Sequence, residues 1–128
     1  MAGMVVVAMC ADPNLFVACV RQVQKSLKYS AKKLIEEKIE AFGVGHLFEV
    51  QQNVIKRIGG KGECIFCGLS DHTADSIKSM DGFHIWWIEE AQSITEHSMQ
   101  LLIPTVRGNR GPFGAKQPEV WFSWNPRR

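Results

Sequence analysis

Two adjacent carboxylates, Glu89 and Glu90, close the apolar run Ile85–Ile88. A hard divalent cation that bridges phosphates prefers carboxylate oxygen, so one acid of such a doublet could hold Mg²⁺ directly or through water. The acid beside it could then polarise an attacking water. A second apolar run, Glu119–Ser123, is followed by Trp124, Asn125 and Pro126. A serine or asparagine at the end of such a run can hydrogen-bond a terminal phosphate or the attacking water. In that reading Glu89 is the metal-binding acid and Glu90 the catalytic one, with Ser123 and Asn125 as phosphate-sensing groups. The plainer alternative is a strand that leaves the core with two charged residues at its end.

The elements that would position these groups are legible in the hydrophobic pattern. Ile85–Ile88 is apolar at every position, as in a strand buried on both faces of a parallel sheet. A helix is expected from Ser93 to Ile103, stopped by Pro104. It would serve as the crossover that lays Ile85–Ile88 and Glu119–Ser123 parallel, with their polar ends facing one crevice. Earlier in the chain, Leu15–Val20 reads as a buried strand. Apolar positions from Val23 to Phe42 recur at spacings of three and four, which predicts an amphipathic helix closed by Gly43. The runs Phe48–Ile58 and Glu63–Gly68 flank the glycines of GGKG, as in a close strand pair. Residues 107–118, rich in glycine, proline and basic side chains, read as a mobile loop. Strands alternating with helices predict a single α/β domain over residues 1–128 with a mostly parallel sheet.

Composition narrows the class without choosing the chemistry. The chain has 128 residues, 45% hydrophobic and 22% charged, which is ordinary for a globular domain. A net charge of +2 is too mild to imply a nucleic-acid partner by itself. Cysteines 10, 19, 64 and 67 all lie in apolar stretches, as in a reduced intracellular protein. Met4–Ala11 is too short to span a membrane. Cys64 and Cys67 have the spacing of half a zinc site, but no second pair completes it, and a buried strand is expected there. Trp86 and Trp87 are expected in the core.

The doublet on its strand resembles a Walker B motif of P-loop ATPases. A wider resemblance is carried by CVRQVQKSLKYS at 19–30, FCGLSDHTADSIKSMDG at 66–82, WWIEEAQSITEHSMQLLIPTVR at 86–107 and EVWFSWNP at 119–126. These stretches are similar, in kind and order, to the large terminase subunit of tailed bacteriophages, in particular the prophage type. The resemblance implies a P-loop NTPase-like sheet with flanking helices, cut at both ends. It implies a part of an ATP-hydrolysing motor that drives double-stranded DNA into a capsid, working with ATP and Mg²⁺ in the host bacterial cytoplasm. Partners so implied are the terminase small subunit, the portal protein and further copies in a ring, with no membrane.

On this resemblance Glu89 is the Walker B acid, Glu90 the catalytic glutamate, and Ser123 with Asn125 the coupling segment. Arg21 falls where it could contact phosphate. Arg107, Arg110 and Lys116 could touch DNA phosphates, or form a solvated basic loop. EEAQ at 89–92 also resembles the acid box of helicase-like translocases, and a non-catalytic prophage remnant is a third reading. The chief departure is the absence of a Walker A loop. GGKG at 59–62 cannot substitute, because the pattern needs glycine where Ile55 stands and a hydroxyl residue where Gly62 stands. Met1–Ala11 is expected to be the helix that follows such a loop, and without the loop the isolated chain is expected not to turn over ATP.

Overall fold

The computed structural model of the chain describes residues 1–22, 31–69, 82–107 and 110–124. Six strands make one sheet: β1 (Phe16–Arg21), β2 (Phe48–Val50), β3 (Val54–Arg57), β4 (Glu63–Gly68), β5 (Ile85–Ile88) and β6 (Glu119–Phe122). Their order is β2-β3-β4-β1-β5-β6. The β4-β1, β1-β5 and β5-β6 pairs are parallel, while β2 and β3 append an antiparallel hairpin. The α/β class with a mostly parallel sheet is therefore as expected. So is the parallel pairing of β5 with β6, in which Ile85 faces Glu119 and Ile88 faces Phe122.

Side-chain alternation explains why the central strands are apolar throughout. Val17 and Cys19 of β1, with Ile85 and Trp87 of β5, point into a core shared with α1 (Ala2–Ala11) and α2 (Ala31–Ala41). Ala18, Val20, Trp86 and Ile88 point to the other face, beneath Leu102 of α3 (Glu96–Arg107). All four side chains of β5 are buried. Each large apolar side chain contributes about 1.5–3 kcal/mol by leaving water, so no shift of this strand's register is tolerated.

Several boundaries differ from the sequence expectation. The run Phe48–Ile58 is two strands, because the polar Gln51–Asn53 makes a turn in which the Gln51 N–H donates to the Val54 carbonyl at 2.8 Å. Of the helix expected from Val23, residues 23–30 lie outside the described part. Its end is as expected: Gly43, at φ +70°, and Val44 donate to the carbonyls of Glu40 and Ile39, a Schellman closure. The helix expected to stop at Pro104 instead runs to Arg107 with Pro104 inside it. Proline removes one helical hydrogen bond, but Leu102 and Thr105 on either side are buried and hold the turn. That helix also starts later than Ser93. Residues 91–93 form a separate 3₁₀ turn, and Thr95 caps α3 by accepting the Ser98 N–H at 3.1 Å. The strand expected to end at Ser123 ends at Phe122.

GGKG serves chain packing. A side chain at Gly60 would meet the Pro13 carbonyl oxygen at 2.2 Å, and one at Gly62 the Leu15 carbonyl oxygen at 2.6 Å. The glycines let this turn lie against Asp12–Leu15, where the Gly62 N–H donates to Pro13 and the Lys61 N–H to Asn14 Oδ1. The Lys61 side chain is exposed. The loop expected to be mobile is in its described part closed on itself. Gly111 donates to the Ala115 carbonyl, Ala115 to that of Pro112, and both Gly111 and Pro112 are buried.

Candidate active site

Parallel strands end at one edge of the sheet, and the acid doublet emerges there. The Glu89 N–H donates to the Val20 carbonyl at 2.8 Å, and the Ser123 N–H to the Ile88 carbonyl at 3.0 Å. The ends of β1, β5 and β6 are thus tied side by side. Alternation puts Arg21, Glu89 and Ser123 on the α1/α2 face of the sheet.

Arg21 Nη2 lies 2.8 Å from Glu89 Oε1 and 3.9 Å from Glu90 Oε2. The Arg21 and Glu89 side chains are only 9% and 10% exposed, against 27% for Glu90. The Ala31 backbone N–H of α2 also donates to the Glu89 carboxyl. Burial raises the Glu89 pKa above the ordinary glutamate value; Arg21 and the Ala31 N–H pull it down, and the charge of Glu90 pushes it up. Desolvation outweighs the ion pair here, as it does for most buried carboxylates with few partners. Arg21 Nε is buried and has no hydrogen-bond partner among the described residues.

Glu90 has φ +48° and ψ +53°, the left-handed region that non-glycine residues seldom occupy. Bonds on both sides hold it there: the Ser93 N–H donates to the Glu90 carbonyl, and the Ala91 N–H to the Ser123 carbonyl. Strain of this kind persists where the surroundings over-determine it, and it recurs at functional sites. Ser123 has a further tie across the strands, since the Trp87 indole N–H donates to its Oγ at 2.9 Å.

The structure therefore brings Glu89, Glu90, Ser123 and Arg21 together. Arg21 is engaged with a carboxylate, where the sequence reading expects a phosphate contact. Asn125 lies outside the described residues. Arg110 and Lys116 are exposed, but their loop runs from α3 to the start of β6, and Phe113 of that loop lines a groove with Ile85 and Glu119. They stand at the opposite edge of the sheet from the acids. Arg107 ends α3, and its side chain falls outside the described part. His84 accepts the Phe16 N–H through Nδ1, and His97 is exposed. Cys64 and Cys67 are buried in β4 as expected, with the Cys67 thiol pushed up to about 12 by burial.

Sequence reasoning missed three contributors: the Trp87 indole N–H, the Ala31 N–H, and Gln22, whose Oε1 accepts the Thr95 N–H at 3.0 Å and ties the end of β1 to the start of α3. Only the polarity of the indole gave any signal, because a buried tryptophan N–H needs a partner.

A family profile described as phage terminase large subunit matches residues 1–128. The chain belongs to the phage terminase large subunit family. Among solved structures, it is similar to the large terminase of a thermophilic bacteriophage, with a TM-score of 0.67 at 15% identity. That match covers 98% of this chain and 30% of the other, so this terminase chain spans under a third of that protein's length. At this identity the likeness speaks for the fold alone. No curated protein matches the chain. Among the described residues, no helix is long and apolar enough to cross a membrane.

Proposed function

We propose that this chain carries the Walker B and coupling part of the ATPase centre of a DNA-packaging motor. The observation that supports the reading is the meeting of Glu89, Glu90 and Ser123 at one carboxyl edge of parallel strands, with β5 and β6 tied in register. Open α/β sheets bind their ligands at that edge. The chemistry fits a hard divalent ion bound with a nucleotide: Glu89 offers a carboxylate at this edge, and among the described residues no group of three or more His, Cys, Asp or Glu side chains could hold a metal without other ligands, so Mg²⁺ would take its remaining ligands from water and phosphate. Glu89 would hold the ion, and the ion would supply charge to neutralise the phosphates. Glu90, more exposed and aimed by its left-handed backbone, accepts the proton of the attacking water. Ser123 accepts the Trp87 N–H, which leaves its own O–H to donate to a phosphate oxygen.

The sequence has no Walker A loop. Among the described residues the outer edge of β6 is unpaired, and a strand carrying such a loop is placed by us there, level with Ser123. Double-stranded DNA is the proposed substrate of the motor, with the small subunit, the portal and other copies as partners in the host cytoplasm. The exposed Arg110 and Lys116 are proposed DNA-phosphate contacts, remote from the acids. Family membership favours this motor over a helicase-like translocase. Joining residues 1–128 to a segment that supplies a Walker A loop provides the test. Mg²⁺-dependent phosphate release is expected from the joined protein, and Glu90→Gln is expected to reduce it at least about 100-fold. Turnover insensitive to Glu90→Gln contradicts the assignment.

A further inference from the structure

The geometry points to Arg21 as the resident counter-cation of the acid pair: it yields Glu89 to a divalent ion and passes to Glu90. This rests on the metal-binding role proposed for Glu89. One nitrogen, Nη2, stands 2.8 Å from Glu89 and 3.9 Å from Glu90, so a shift of about an ångström exchanges one partner for the other. Nε of the same guanidinium is buried and has no hydrogen-bond partner among the described residues. A guanidinium and a divalent ion cannot share one carboxylate closely, because like charges in a poorly hydrated site repel strongly. Glu90 is the second carboxylate that Arg21 reaches. The handover places the Glu90 carboxyl only once the ion has arrived. Arg21 is thus a positioning residue that couples metal occupancy to the catalytic acid.

The purified chain and Mn²⁺ alone suffice for the test, with free aquo-Mn²⁺ measured by electron paramagnetic resonance. Glu89→Gln abolishes binding if the metal reading holds. Arg21→Met removes the competing charge and is expected to tighten Mn²⁺ binding at least about tenfold, the effect a unit charge roughly 6 Å from a divalent ion has even in bulk water. Arg21→Lys keeps the charge and is expected to stay near wild type, which a purely structural role does not predict. Glu90→Gln deprives Arg21 of its second partner and is expected to weaken binding in the wild-type background but not beside Arg21→Met. If Arg21→Met fails to fold by circular dichroism, Arg21→Gln takes its place. Unchanged or weaker Mn²⁺ binding on removal of the charge overturns the inference while leaving Glu89 as a ligand. A Glu90→Gln loss that persists without Arg21 overturns the handover. Absence of Mn²⁺ binding by every variant overturns both this inference and the metal reading.

Discussion

Glu90 combines a side chain proposed as the catalytic base with a backbone that resists its conformation. Its left-handed conformation costs about 1–2 kcal/mol in an L-residue other than glycine or asparagine. Glu90→Gly is accordingly expected to raise unfolding free energy by up to about 1 kcal/mol in denaturant titration, while removing the proposed base. The two tryptophans before it show how far a sequence can be read at this scale. The apolar run places both in the core, and both are there, at 0% and 4% exposure. Their difference was not legible: Trp86 Nε1 has no partner among the described residues, whereas Trp87 Nε1 bonds Ser123. Only strand register decides which indole meets a hydroxyl. Trp87→Phe keeps an aromatic ring and loses the N–H, so it is expected to cost about 1–2 kcal/mol in urea unfolding. In ¹⁵N-tryptophan spectra, Ser123→Ala is expected to shift the Trp87 indole resonance and leave that of Trp86 in place. Glu89 adds a pH dependence. Its folded pKa is raised, so its protonated form is favoured by folding, and its contribution is complete below the unfolded glutamate value of about 4.3 and lost as pH rises through the folded value. In the absence of metal, the stability of wild type relative to Glu89→Gln is expected to fall as pH rises from the unfolded glutamate value towards neutrality, as measured by urea unfolding.

At the scale of elements, type was easier to read than boundary. β5 announced itself because all four positions are apolar, and α2 announced its end because a glycine tolerates φ +70° without cost. α3 differs from its expected span at both ends, since proline argues for a stop that tertiary packing overrides, and Ser93 and Thr95 are both plausible caps on sequence alone. The antiparallel hairpin beside β4 hides a long-range tie. Arg57 of β3 donates through Nε to the Met9 carbonyl at 2.9 Å and through Nη2 to the Cys10 carbonyl at 3.2 Å. These are carbonyls of the last turn of α1, a helix with no basic residue of its own there. Arg57→Ala is expected to lower stability by about 1–2 kcal/mol, more than Lys61→Ala at the exposed turn, when the two are compared in thermal or denaturant melts. Gly62→Ala, which would drive a methyl into two backbone oxygens, is expected to cost more than about 2 kcal/mol.

The described sheet has one hairpin edge and one open edge. β6 has exposed positions at Glu119, Val120 and Phe122, and Trp124 beyond it is 64% exposed and stacks on Phe122 at 6.4 Å. Apolar grooves flank β6 on both faces, one of about 640 Å³ beside α1, Phe113 and Trp121, the other of about 320 Å³ between α3, Val120 and Phe122. An edge whose exposed Val120 and Phe122 are guarded by a charge only at Glu119 favours self-association. Phe122→Lys is expected to reduce concentration-dependent light scattering of the purified chain. The sequence carried the sheet class and the acid doublet, because burial patterns and strand ends are local. It did not carry the Arg21–Glu89 pair, which exists only because β1 and β5, 68 residues apart at these positions, lie side by side. The central claim is that the edge formed by Glu89, Glu90 and Ser123 receives a metal nucleotide. Paramagnetic broadening by Mn²⁺·ATP in amide spectra of the chain measures this most directly. Selective loss of the Glu89, Glu90, Ala91 and Ser123 signals, abolished by Glu89→Gln, is the expected result. Broadening that is absent there, or that centres on Arg110 and Lys116 at the opposite edge, contradicts it.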